Sequence, residues 1–199
     1  MSTGTRESTA WLDVTTLYAS RGRSRHEAPV TQEQHALQCA SLAETDGADD
    51  ELVLAALLHD IGRLLPVATR ADRGEDSLGG DVPRDHHSRL GAGLLRPWLP
   101  ERTVWLVEYH VVAKRYLCAT DARYAAAVSA VSPRSDAAAP GEPLSRDERC
   151  RLEAHPWFAD LLRLRRWDDG ARRPGVRVPN FGSYASLLHR HLALRAVIR

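Results

Sequence analysis

The stretch ALLHDIGRLL, residues 56–65, decides the fold of this chain. It completes an apolar run that starts at Leu52 and ends on two adjacent polar side chains, His59 and Asp60. A helix that is apolar all round belongs in a core. Charge at the end of such a helix needs a partner, because burying it alone is costly. Successive helical residues point about 100° apart. His59 and Asp60 therefore meet at one site only if the helix end turns inward. A carboxylate has two oxygens and can bridge two cations, whereas an imidazole binds one. The pair suits the lip of a site that holds two metals. The alternative is that His59 and Asp60 merely cap the helix C-terminus, where a histidine is favourable.

Reading outward, TQEQHALQCASLAETDG is a helix with Thr31 as its cap, Gln34 at the capping-box position and Gly47 as its stop. Asp49 or Asp50 starts the helix ELVLAALLHDIG, closed by Gly62. Residues 66–86 form a loop rich in Gly, Asp and Pro. HSRLGAGLLRPWL is a third helix ending near Pro97, with Gly91 and Gly93 placed for close packing. ERTVWLVEYHVVAKRYL is a fourth, expected to run on into DARYAAAVSAVS. A second loop covers 133–146. DERCRLEAH, FADLLRLRRWDD and SYASLLHRHLALRAVI supply the remaining helices, with a Gly/Pro turn at 174–182. Residues 1–30 are polar and partly irregular. With neither alternating strand patterns nor repeats, the expectation is an all-α helical bundle in one domain, 1–199. Its core spans about 30–170 and its last helix about 183–197.

The 199 residues suit one domain with a proper core. A formal net charge of +1 argues against nucleic-acid or membrane binding by bulk electrostatics. The N-terminus has no apolar signal core, so the expected location is cytoplasmic. Cys39, Cys118 and Cys150 follow no zinc or disulfide spacing. Among 27 basic residues there is one lysine, Lys114.

The polar residues on these helices are the candidate ligands. They are His35 on the first, His59 and Asp60 on the second, His86 and His87 opening the third, His110 on the fourth and Asp168 after Trp167. Transition metals accept such mixed imidazole and carboxylate sets, and facing helices of a bundle can present them to an internal site. His26, His155, His189 and His191 read as exposed or capping residues. Trp98, Trp105 and Trp157 read as packing, Trp167 as a prop for Asp168, and Glu108 as solvent-facing or hydrogen-bonded to a ligand histidine.

HDIG, preceded by a lone histidine and followed by a distant aspartate, resembles the HD-domain superfamily. Residue by residue, His35, His59, Asp60 and Asp168 match its minimal set. His87, a better match than His86, and His110 match the branch that binds two metals, with Asp60 bridging. HVVAKRYLC and RRWDDGA resemble the small HD-domain oxygenases that cleave carbon–phosphorus bonds, relatives of myo-inositol oxygenase. That resemblance implies a mixed-valent Fe(II)/Fe(III) pair, O2 as co-substrate and a small anionic organic substrate. It assigns Lys114, Ser132 and Arg165 to the anion pocket.

The chain departs from that pattern at several points. A Tyr-x-x-Glu upstream of the first ligand falls on Arg25 and Ala28, leaving Glu27 one residue off register. A substrate-assisting histidine three residues past the HD pair is Arg63 here. Positive charge at 25 and 63 suits a different or more anionic substrate. Cleavage of either a C–P or a C–C bond is compatible with these residues. The rivals are a metal-dependent HD phosphohydrolase, with Lys114 holding phosphate, and a non-catalytic metal-binding or partner-binding domain. Oligomeric state is not fixed by the sequence.

Overall fold

A computed structural model describes residues 14–24, 30–65, 86–131 and 144–197. The described chain is all-α. Its elements are α1 (14–21), α2 (Gln32–Thr45), α3 (Asp50–Leu58), a 3-10 turn (Ile61–Leu64) and α4 (His86–Leu95). They continue with α5 (Glu101–Thr120), α6 (Ala122–Val131), α7 (Arg146–Glu153), α8 (Phe158–Gly170), a second 3-10 turn (Phe181–Tyr184) and α9 (Ala185–Val197). No helix among the described residues is long and apolar enough to cross a membrane.

The centre is α3, which packs against α2, α5, α8 and α9. Every residue from Leu52 to Leu58 is buried, as its unbroken apolar sequence requires. Its start is fixed by Asp49, whose side chain accepts from the Leu52 amide. On α2 the expected capping box forms: Thr31 accepts from the Gln34 amide, and the Gln34 side chain accepts from the Thr31 amide. Gly47 follows α2 with φ 67°, a left-handed conformation that favours glycine.

Three expectations are corrected. Residues 14–21, expected to lie in a partly irregular segment, form a helix whose Val14 and Tyr18 are buried. Tyr18 packs at a tilt against Phe181 and donates to the Leu57 carbonyl at 2.8 Å, so it satisfies an acceptor at the open end of α3. The short run of Val, Thr and Thr there is poor in helix propensity, and tertiary packing overrides it. The fourth helix does not run on: Asp121 is extended (φ −127°, ψ 104°), and its side chain accepts from the Arg123 and Tyr124 amides, starting α6 afresh. His191, expected exposed, is buried, with Nδ1 at 3.0 Å from the Leu187 carbonyl.

Candidate metal centre

The helix end at His59 and Asp60 does turn inward. His59 keeps helical angles (φ −56°, ψ −37°), Asp60 moves to φ −98°, ψ 9°, and the 3-10 turn follows. That change of direction lets two consecutive side chains point into one buried space. The Asp60 carboxylate is divided between two sets of imidazoles. Its Oδ2 faces His35 Nε2 at 4.0 Å and His59 Nε2 at 3.8 Å. Its Oδ1 faces His87 Nε2 at 3.1 Å and His110 Nε2 at 3.5 Å. Asp168 closes the first set, with Oδ1 at 3.2 Å from His35 Nε2 and Oδ2 at 3.8 Å from His59 Nε2. It is His87, rather than its neighbour His86, that reaches Asp60.

The backbone fixes the orientation of three of the four rings. His35 Nδ1 lies 2.7 Å from the Ala171 carbonyl, His59 Nδ1 2.9 Å from Ala56 and His110 Nδ1 2.7 Å from Val107. A carbonyl only accepts, so each Nδ1 carries a proton and each ring turns its Nε2 inward. The Ala171 carbonyl is itself held in place, because Gln38 clamps the chain at Arg173 with 2.8 and 3.1 Å hydrogen bonds. The bond from His59 also shows that capping and ligation are compatible: one ring nitrogen serves the helix end while the other faces the site.

The inward nitrogens then pose an electrostatic problem. His35 Nε2 and His59 Nε2 are 3.1 Å apart, and His87 Nε2 and His110 Nε2 are 3.2 Å apart. Two unprotonated nitrogens at that distance repel unless a proton or a metal cation lies between them. Burial pushes His59 down to about 3 and His87 down to about 4, so neither carries a proton at neutral pH. Burial also pulls His35 down, but the hydrogen bond and charge of Asp168 outweigh it and leave its pKa raised. For Asp168, burial is outweighed by Arg165 and the nearby histidines, which hold its carboxyl well below the usual range. Paired imidazoles with carboxylates between them fit metal cations. His35, His59 and Asp168 form one group able to hold an ion, and His59, Asp60 and His110 another, with ligand atoms within 4.8 Å of one another. His87 joins the second group through its 3.1 and 3.2 Å contacts. The arrangement is that of a binuclear site.

Gly62 sets the spacing between the two halves. A Cβ there would lie 1.9 Å from the His87 carbonyl oxygen and 2.8 Å from the Gly91 nitrogen, so the 3-10 turn touches the α4 backbone. This close approach, rather than the helix ending expected from sequence, requires the glycine. Gly62→Ala will push α4 away and His87 with it. The expected loss is near the top of the ~1–3 kcal/mol range for overpacking. Thermal unfolding should then shift down by roughly 6–12 °C, a change that differential scanning calorimetry will read.

The other expected site residues are placed as follows. Arg63 Nε is 3.1 Å from Asp60 Oδ1, beside the second group. Lys114 is half-buried on α5, one turn beyond His110. Arg165 is buried and committed to carboxylates: it lies 2.7 Å from Asp168 Oδ2 and also grips Asp169. Arg25, Glu27, Ala28 and Ser132 lie outside the described residues. Trp167 donates to Asp46 at 3.2 Å, tying α8 to the end of α2. Glu108 pairs with Arg96 on the surface instead of supporting a histidine. A cleft of about 400 Å³ lined by Trp105, Tyr109 and Val112 opens on the face of α5 turned away from His110, so it is not the metal site. Asp169, Tyr124 and Arg172 are partners of the site that no sequence pattern singles out, although the doubled aspartate of RRWDDGA contains one of them.

Comparison with known proteins agrees with this geometry. The HD domain family matches residues 33–150. A hydroxymethylphosphonate dioxygenase from Gimesia maris is 38% identical over 168 residues, covering 84% of this chain and 81% of its own. A [1-hydroxy-2-(trimethylamino)ethyl]phosphonate dioxygenase (glycine-betaine-forming) from Leisingera caerulea is 33% identical over 162 residues, covering 81% and 79%. The chain belongs to the HD-domain family.

Proposed function

We propose that this HD-domain protein is an O2-dependent diiron oxygenase that cleaves the C–P bond of a small hydroxy- or amino-substituted phosphonate. The reading is carried by one coincidence: a six-donor site shared across Asp60, in a chain similar over four-fifths of its length to two dioxygenases. The names of those relatives have in common a hydroxyl on the carbon bonded to phosphorus. His35, His59 and Asp168 would hold one iron, His87 and His110 the other, and Asp60 both. The irons, as an Fe(II)/Fe(III) pair, would supply a Lewis acid for the substrate hydroxyl and the electrons for O2 chemistry.

The chain's own residues bind and orient. Lys114 offers a compact cation on a flexible stem, suited to one end of a phosphonate. Arg63 adds positive charge at the second group, which favours a substrate with a further anionic group over the simplest phosphonate. Ser132 and Glu27 are proposed to complete the substrate pocket. The carbonyl bonds to His35, His59 and His110 keep three ligand nitrogens aimed before substrate arrives, so little reorganisation remains for the reaction itself.

The test is phosphate release from hydroxymethylphosphonate and related hydroxy- and aminophosphonates by iron-loaded protein, with and without O2. Release should require O2, with one O2 consumed per phosphate. Equal release from phosphate esters under anaerobic conditions would move the protein to the hydrolases. Oxygen uptake without phosphate, on hydroxy acids, would move it to C–C cleavage.

A further inference from the structure

Asp168 is held from behind by a chain of side chains that the proposed reaction does not itself use. Arg165, Asp168 and Asp169 sit at i, i+3 and i+4 on α8, so one guanidinium lies between two carboxylates. Arg165 places Nη1 at 2.7 Å from Asp168 Oδ2. Its Nε donates to Asp169 Oδ2 at 3.0 Å, and its Nη2 donates to Asp169 Oδ1. The Tyr124 hydroxyl on α6 donates to the same Asp169 Oδ2 at 2.7 Å. Arg172 adds a second cation at 3.5 Å from Asp168 Oδ1.

The division of the guanidinium is the informative feature. A two-pronged grip on a carboxylate is the stronger mode of arginine binding. Here Asp169 receives the two-pronged grip and Asp168 only the single one. Asp168 therefore keeps its Oδ1 turned to His35 and the metal space. The charges also balance: Arg165 and Arg172 against Asp168 and Asp169 sum to zero before any cation enters. With Asp169 neutral, the same group would carry +1 and repel the incoming metal, and Arg165 would be free to close both prongs on Asp168.

We propose that Asp169, steadied by Tyr124, is a positioning residue for the first metal group. It takes two of the three Arg165 nitrogens and so leaves Asp168 Oδ1 available as a ligand. The inference rests on Asp168 being a ligand in the proposed diiron site, but not on which bond is cleaved. It also gives Arg165 a role as a brace of the metal site.

The test is anaerobic titration of the full chain with Fe(II) against a competing chelator, with iron per chain counted by elemental analysis. Asp169→Asn keeps the shape and removes the charge. It should weaken one of the two irons by about 10–100-fold, the range typical for partners of metal ligands. Tyr124→Phe should act in the same direction and less strongly. Asp169→Glu, which keeps the charge, should retain more iron than Asp169→Asn. Tyr116→Phe removes a comparable hydroxyl contact, to Glu153, and should bind iron as the unmodified protein does. A lowered melting temperature of the metal-free Asp169→Asn protein with unchanged iron affinity would mean a purely structural role and overturn the proposal. If Asp169→Asn does not fold, Tyr124→Phe and Asp169→Glu decide it alone. Iron affinity is read without substrate or O2, so a protein that proved to be a hydrolase would leave this result standing.

Discussion

Asp60→Asn will leave the protein folded, bind no more than one iron per chain tightly and lose turnover by about a thousandfold or more. The reason lies in the division of its carboxylate, with Oδ2 toward His35 and His59 and Oδ1 toward His87 and His110. Asparagine keeps one acceptor oxygen and replaces the other with an NH2 group, which cannot coordinate. One of the two groups then faces a donor, and the bridge is gone. The charge matters as well as the atom. A unit charge 4 Å away is worth about 4 kcal/mol at an effective dielectric of 20, or close to three decades of affinity. Arg63, now 3.1 Å from Asp60 Oδ1, would lose its counter-charge and add repulsion on the second group's side. Iron per chain and phosphate release on one preparation check the result. Two tightly bound irons with activity within tenfold of the unmodified protein would remove Asp60 from the bridging role.

Much of this site is legible in the sequence, and for a physical reason. A buried apolar helix that ends on His59 and Asp60 must either pair its polar groups or leave them at great cost, and the search for partners leads to a short set of polar residues on otherwise apolar helices. The inward turn is legible too, because two adjacent helical side chains cannot converge without it. What the sequence hides depends on which surfaces meet. Gly62 looks like a helix stop in sequence, yet it is needed because the α4 backbone lies against it. The helix at 14–21 has weak local propensity and owes its order to Tyr18 reaching Leu57 and Phe181. Arg165 illustrates the same limit from the other side. Its place in RRWDDGA suggests an anion ligand, but the i, i+3 and i+4 spacing gives it two carboxylates of its own helix. Nothing in the sequence marks Asp169, the second aspartate of a pair, because its role depends on partners that α6 and α8 bring together.

Lys114→Ala will separate substrate anchoring from metal binding. Lys114 follows His110 by one turn on α5 and so belongs to the side of the helix that carries the second metal group. Its proposed part in the chemistry is to hold the substrate anion. Truncating one partner of a buried charge pair costs about 2–5 kcal/mol. Lys114 is half-buried, so the low end applies: about 2 kcal/mol, or roughly thirtyfold in KM. The turnover number should fall much less, because the phosphonate is already anionic before the bond breaks and the lysine binds substrate and transition state alike. Iron content should not change. Lys114→Arg should recover part of the loss, since it restores charge but as a planar fork in place of a point. Arg63→Ala provides the contrast. Its guanidinium lies against Asp60 Oδ1, the oxygen turned to His87 and His110, so its removal should alter iron occupancy and substrate affinity together. A KM for Lys114→Ala within twofold of the unmodified value would place the substrate's acidic end elsewhere, with Arg63 as the next cation to test.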